Sequence, residues 1–78
     1  MSNPNNAVFR TREAFINLSN VAGVYVTDED QAKALVNRDL DEMDVRVVWL
    51  NGTYEDLNFS SHEHRLLLNA LEIYWSNA

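Results

Sequence analysis

Cysteine is missing from the chain, which removes disulfides and thiolate zinc sites as means of holding a small fold together. Glycine is scarce: Gly23 and Gly52 are too few and too far apart for a glycine-rich phosphate loop. Proline occurs once, at Pro4. No apolar run approaches the roughly 20 residues of a membrane-spanning helix, and no charged-then-apolar leader is visible, so a soluble protein of a reducing compartment, the cytoplasm, is expected. Bases are also in short supply. Six Lys and Arg stand against twelve Asp and Glu, for a formal net charge of −6. Two of those bases, Arg10 and Arg12, precede Glu13, so from Glu13 onward all twelve acids face only four bases. Such a surface repels nucleic-acid phosphates and anionic headgroups, which disfavours direct binding to nucleic acid or membrane.

What is present is apolar material: 46% of the 78 residues are hydrophobic, enough for one domain and too little chain for two. A core this small contributes only about 3–5 kcal/mol net, and small domains supplement it with disulfides, metal or self-association. With thiols gone, self-association is the expected supplement. Residues 1–8, "MSNPNNAV", are polar and Asn-rich and are expected to be a flexible N-terminal arm, leaving 9–78 as a single domain.

The expected fold class is α+β, ordered helix, short strand, helix, β-hairpin, helix, with the helices packed on a two- to three-stranded antiparallel sheet. Ala14, Phe15, Leu18, Val21 and Ala22 share one helical face, with Thr11 as N-cap and Gly23 as C-cap; the competing reading is a strand through Ala14, Ile16 and Leu18. Val24 to Val26 suits a brief strand. A second helix is expected from Thr27 as N-cap, with Asp30 at the capping-box position, running to about Asn37 or further. Asn51-Gly52 between β-branched and aromatic residues announces a hairpin. A two-residue loop would set Trp49 opposite Tyr54, and Arg46 and Val48 on the face of Glu55 and Leu57; a bulged, longer loop is the other register.

The segment "SSHEHRLLLNALEIYW", residues 60–75, offers the best prospect of chemistry, and its spacing argues against it. Ser60 and Glu63 fit a capping box, which starts a helix there. His62 and His64 are about 200° apart on that helix, whereas paired metal ligands need i, i+3 or i, i+4 spacing. Solvated histidines near a helix start are the expectation, with no metal and no cofactor. Arg65, Asn69, Glu72 and Ser76 form one polar stripe and apolar residues cover the rest, more than a three-stranded sheet hides. A second copy of the helix across a two-fold axis is the simplest cover.

Other constellations fail on spacing. "DLDEMD" puts Met43 and Asp44 where a calcium loop needs an oxygen ligand and a glycine. Serines beside the histidines are already explained by capping, and Glu55 and Asp56 point to opposite faces of a strand, so no catalytic residue is assigned. If residues 28–44 were one helix of about 24 Å, their seven carboxylates would approach the phosphate spacing of one DNA strand, although Lys33 and Arg38 interrupt the rail. The leading expectation is a small acidic, non-enzymatic protein-binding module, a homodimeric regulator or inhibitor acting on a protein target. By association, and not from any residue, this profile suits an accessory protein of a phage or mobile element. Its expected interface residues are Leu67, Leu71, Tyr74, Trp75, Trp49 and Tyr54. Nucleic-acid mimicry through an acidic surface of Asp28, Glu29, Asp39, Asp41, Glu42 and Asp44 is the alternative.

Overall fold

The computed structural model describes residues 8–12 and 14–76. The expected arm therefore lies outside the described residues except for Val8, which opens the first strand. In chain order come β1 (Val8–Arg10), β2 (Phe15–Asn17), a 3-10 turn (Leu18–Asn20), β3 (Val21–Val26), α1 (Glu29–Ala34), β4 (Met43–Trp49), β5 (Tyr54–Phe59) and α2 (Ser61–Ser76). β1 and β2 form a two-stranded antiparallel sheet; β3, β4 and β5 form an antiparallel sheet with β4 central. The expected order of helix, strand, helix, hairpin, helix is therefore wrong: the domain has two antiparallel sheets and one main helix, at the C-terminal end.

The first expected helix is replaced by β2, the 3-10 turn and the start of β3. Alternation wins over the helical stripe: Ile16 and Leu18 are buried and Phe15 and Asn17 exposed, the period of two that a strand requires. Thr11 does accept a hydrogen bond from an N–H three residues on, that of Ala14 at 2.9 Å, as a helix N-cap would. Here the bond closes the turn between β1 and β2, with Thr11 N–H donating to Ala14 C=O at 2.8 Å. Gly23 lies within β3 and ends no helix.

The second expected helix shrinks to six residues. Asp28, one residue later than the expected cap, accepts from the N–H groups of Asp30 and Gln31. Thr27 is engaged elsewhere, its N–H donating to Asp44 C=O and prolonging the β3–β4 ladder. After Ala34 the chain loosens into turns, and Val36, part of the expected stripe, is exposed.

Strand β4 carries the clearest pattern: Met43, Val45 and Val47 are fully buried, while Asp44, Arg46 and Val48 face the other way. Facing them on the inner side are Ile16, Leu18 and Val21 from the N-terminal half, Phe59 from β5, and Leu67 and Leu71 from α2. Burying a Leu, Val or Phe side chain gains about 1.5–3 kcal/mol, so this shared cluster holds the elements together. Ser61, the one buried polar residue among the described residues, accepts from the Leu40 N–H at 3.0 Å while its own N–H donates to Leu40 C=O at 2.9 Å. This pair ties the segment after α1 to the start of α2.

The hairpin takes the longer loop. Val48, not Trp49, lies opposite Tyr54; Trp49 N–H donates to Thr53 C=O and Gly52 N–H to Trp49 C=O, and Gly52 takes φ of 91°. Only glycine adopts that conformation without a Cβ penalty. The one-residue change in register puts Arg46 opposite Asp56 and Val47 opposite Glu55, and it separates Trp49 from Tyr54 onto opposite faces of the sheet.

Candidate protein-binding groove

α2 begins as its sequence dictates. Glu63 N–H donates to Ser60 Oγ at 3.1 Å, and the Glu63 carboxylate accepts from Ser60 N–H at 3.0 Å. The same carboxylate receives the Arg12 N–H and Nε, anchoring the β1–β2 turn to the helix start. Its pKa is held below the ordinary carboxylate range, chiefly by the Ser60 N–H, with Arg12 adding to the effect. His62 is exposed, whereas His64 is half-buried and its pKa lowered by desolvation, so only one of the two is the solvated histidine expected. Among the described residues no three His, Asp or Glu side chains converge as a metal-ligand set, and no buried side-chain nitrogen or oxygen lacks a partner.

Further along, the apolar circumference of α2 divides into three. Leu67 and Leu71, expected at an interface, are 0% and 1% exposed in the chain's own core, and Tyr74 is partly buried against it. On one flank stand Leu68 and Trp75, 41% and 50% exposed; on the other stand Leu66 and Ile73, 44% and 63% exposed. The single broad face expected from sequence is thus a buried centre with two separate exposed margins.

The Leu68/Trp75 margin faces another element. Together with Leu71 and Glu72 it forms one wall of an open groove of about 630 Å³, whose other wall is Gly23, Val24 and Tyr25 of β3. β3 is an edge strand, with β4 on one side and, among the described residues, no strand on the other. Because Thr27 N–H bonds to β4 and backbone direction alternates along a strand, Val24 and Val26 turn their N–H and C=O groups toward the open edge. A register shift between Val21 and Gly23 marks a bulge at the start of the strand. Tyr25 lies back over Gly23, where a Cβ would come within 3.2 Å of its hydroxyl. A side chain at position 23 would press on this ring, which shares the outer sheet face with Arg46, its partner across the strands.

The remaining expected interface residues lie elsewhere. Trp49 borders a smaller depression of about 390 Å³ beside the hairpin tip, with Phe15 and Leu50. The Arg10 guanidinium stands 5.2 Å from the Phe15 ring centroid. Tyr54 is on the outer sheet face, where Arg46 lies 4.0 Å from its ring centroid and bonds Asp56 at 2.8 and 3.2 Å. That hydrogen bond lowers the Asp56 pKa and raises that of Arg46.

The acidic residues form a corner and not a rail. Thr27 N–H to Asp44 C=O, and Asp44 N–H to Gln31 Oε1 at 2.8 Å, draw Asp28 and Glu29 toward Asp41, Glu42 and Asp44 where β3 ends and β4 begins. Asp39 is instead paired with Arg65 of α2 at 2.9 Å, and Glu29 with Lys33 at 3.3 Å. The single helix over 28–44 that phosphate spacing requires does not exist, since α1 spans six residues.

The strand expected at Val24 to Val26 is present, but it begins three residues earlier than expected, since Val21 and Ala22 are on the strand and not on a helix ending at Gly23. The uncharged run Val21–Val26, bounded by Asn20 and Thr27, was the available signal. Comparison of the chain with protein-family models, with curated proteins and with solved structures finds no match. No described helix is long and apolar enough to cross a membrane.

Proposed function

We propose that this chain is a small non-enzymatic protein-binding module, a regulator or inhibitor, whose contact surface is the groove between β3 and α2. One observation carries this reading: an exposed leucine and tryptophan on α2 stand beside a strand edge whose outward-facing backbone groups pair with no other strand among the described residues. Apolar anchors give affinity through desolvation, tryptophan being enriched at such hot spots, and an open strand edge supplies directional hydrogen bonds. Panning a random-peptide display library on the immobilised chain is the test. Recovered binders should lose their hold on a Leu68→Glu/Trp75→Glu variant whose circular dichroism and thermal midpoint match the parent. An empty library, or binders that ignore both substitutions, would refute the reading.

A homodimer is the second reading, favoured by Leu66 and Ile73, two exposed apolar residues one heptad apart on the margin of α2 away from the groove. Light scattering on the free chain then gives twice its 9.0 kDa mass, and Ile73→Glu returns it to one. A single-chain mass at high concentration removes this reading and leaves the first intact.

A further inference from the structure

Resting on the groove as the contact site, we propose its occupant: an extended, basic peptide segment that adds to the open edge of β3 as a fourth strand. The backbone sets the extended form. Val24 and Val26 offer their N–H and C=O groups at the two-residue repeat of an antiparallel ladder, which only a chain in β conformation can match over its length. Side chains of such a strand alternate between faces, so one points between Leu68 and Trp75 and must be apolar.

Charge selects the remainder. Among the described residues Glu72 is the one carboxylate in the groove wall, it takes part in none of their ion pairs, and no base lines the groove. Where β3 leaves the groove the chain continues Asp28-Glu29-Asp30. From Val24 to Asp28 is four residues, about 13 Å of strand. A ligand strand therefore meets apolar surface at its middle and carboxylates beside and beyond it, which suits Lys or Arg a few residues from the apolar anchor. A second copy is the poorer fit for the same edge. Antiparallel pairing of two β3 strands carries Asp28–Asp30 of each copy toward the start of the other's β3 and its groove, which holds Glu72 and no base among the described residues, so acid is added to acid.

The test uses the full 15N-labelled chain and an acetylated peptide of about ten residues, alternating valine and threonine around one leucine and ending in two arginines. Its addition should shift the Trp75 indole N–H signal and the Val24 and Val26 amides, and slow exchange of those amides about tenfold or more. Methylating alternate backbone nitrogens of the peptide should remove binding. Glutamate in place of the arginines should weaken binding about tenfold or more, and a Glu72→Gln/Asp30→Asn variant should lose most of that preference. If Trp75 responds while the β3 amides do not, or if the methylated peptide binds equally, strand addition is wrong although the groove still docks a ligand. Equal binding of the glutamate peptide overturns the basic partner. Protection of Val24 and Val26 in a free chain of doubled mass assigns the edge to a second copy and overturns the proposal. No response at either Trp75 or β3 to any peptide also overturns it, while the display experiment judges the wider reading independently.

Discussion

Along one edge of the central sheet β5 carries Glu55, Asp56 and Asn58, while along the other β3 runs Val-Ala-Gly-Val-Tyr-Val without a charge. Edge strands expose unpaired backbone groups and invite a further strand; charged side chains are one of the means by which proteins discourage this. β5 has that protection, since a strand approaching it must desolvate or face Glu55. β3 relies on a bulge at its start, which disturbs pairing at Val21 and leaves Val24 to Val26 regular. The difference teaches that the sheet is asymmetric in chemistry as well as in neighbours, with the unguarded edge the one beside the exposed Leu68 and Trp75 of α2.

The largest effects should come from the residues that hold the two edges to a common core. Phe59, at the end of β5, is fully buried. Phe59→Ala should lower unfolding free energy by about 3–5 kcal/mol in denaturant titrations, enough to unfold much of a domain this small. Leu71→Ala should cost about 2–5 kcal/mol, whereas Leu68→Ala, one helical turn away on the β3 side, should stay within about 0.5 kcal/mol. Equal costs at positions 68 and 71 would mean that the groove wall is part of the core, and the comparison of edges would fail.

Next is the junction of β5 with α2. Ser60→Ala removes one half of the capping box and should cost about 1 kcal/mol. The other half makes stability pH-dependent. Glu63 has a folded pKa below its unfolded value, so its contribution is present above the ordinary glutamate range near about 4.3 and is lost as pH falls through the folded value. His64 acts earlier. Its folded pKa lies below the usual value near about 6.5, so the unfolded chain takes up that proton first and stability begins to decline below that pH. Glu63→Gln should flatten the acid limb of a stability-against-pH curve, and His64→Gln the limb nearer neutrality. An unchanged curve in both variants would contradict these assignments.

The smallest changes in stability, and the most direct test of the contrast, come from exchanging charge between the edges. Ala22→Lys gives β3 the protection β5 has, and Glu55→Val takes it from β5; both sites are exposed, so each should alter unfolding free energy by less than about 0.5 kcal/mol. Light scattering during incubation at elevated temperature should nevertheless show slower aggregation for the first and faster for the second. No difference in either direction would mean that edge charge is irrelevant here.

Which parts were legible follows from how local their causes are. The start of α2 depends on Ser60 and Glu63 alone and could be read directly, whereas the division of its apolar circumference into a buried centre and two exposed margins depends on what packs against it and could not. The presence of a hairpin followed from Asn51-Gly52, but its register did not, since the two-residue and three-residue loops share that dipeptide and differ only in whether Trp49 or Val48 meets Tyr54. Residues 14–22 satisfy both periods. Thr11 bonding to the Ala14 N–H is equally a helix cap and a hairpin turn, and only packing of Ile16 and Leu18 against β4 and α2 separates the two. Of the expected contact residues, Trp75 lies in the groove, with Leu71 at its floor within the core; Trp49 and Tyr54 are dispersed by the one-residue change in register.

By itself the sequence determined the acidic surface, the absence of covalent staples, the C-terminal helix with its start, and the position of the hairpin, because each depends on composition or on residues within one turn of one another. Tertiary structure alone decided that Val21–Val26 is an edge strand and that Leu68 and Trp75 stand beside it, because strand neighbours and helix placement are set by pairing between residues far apart in the chain, where local preference is nearly balanced and shared burial chooses.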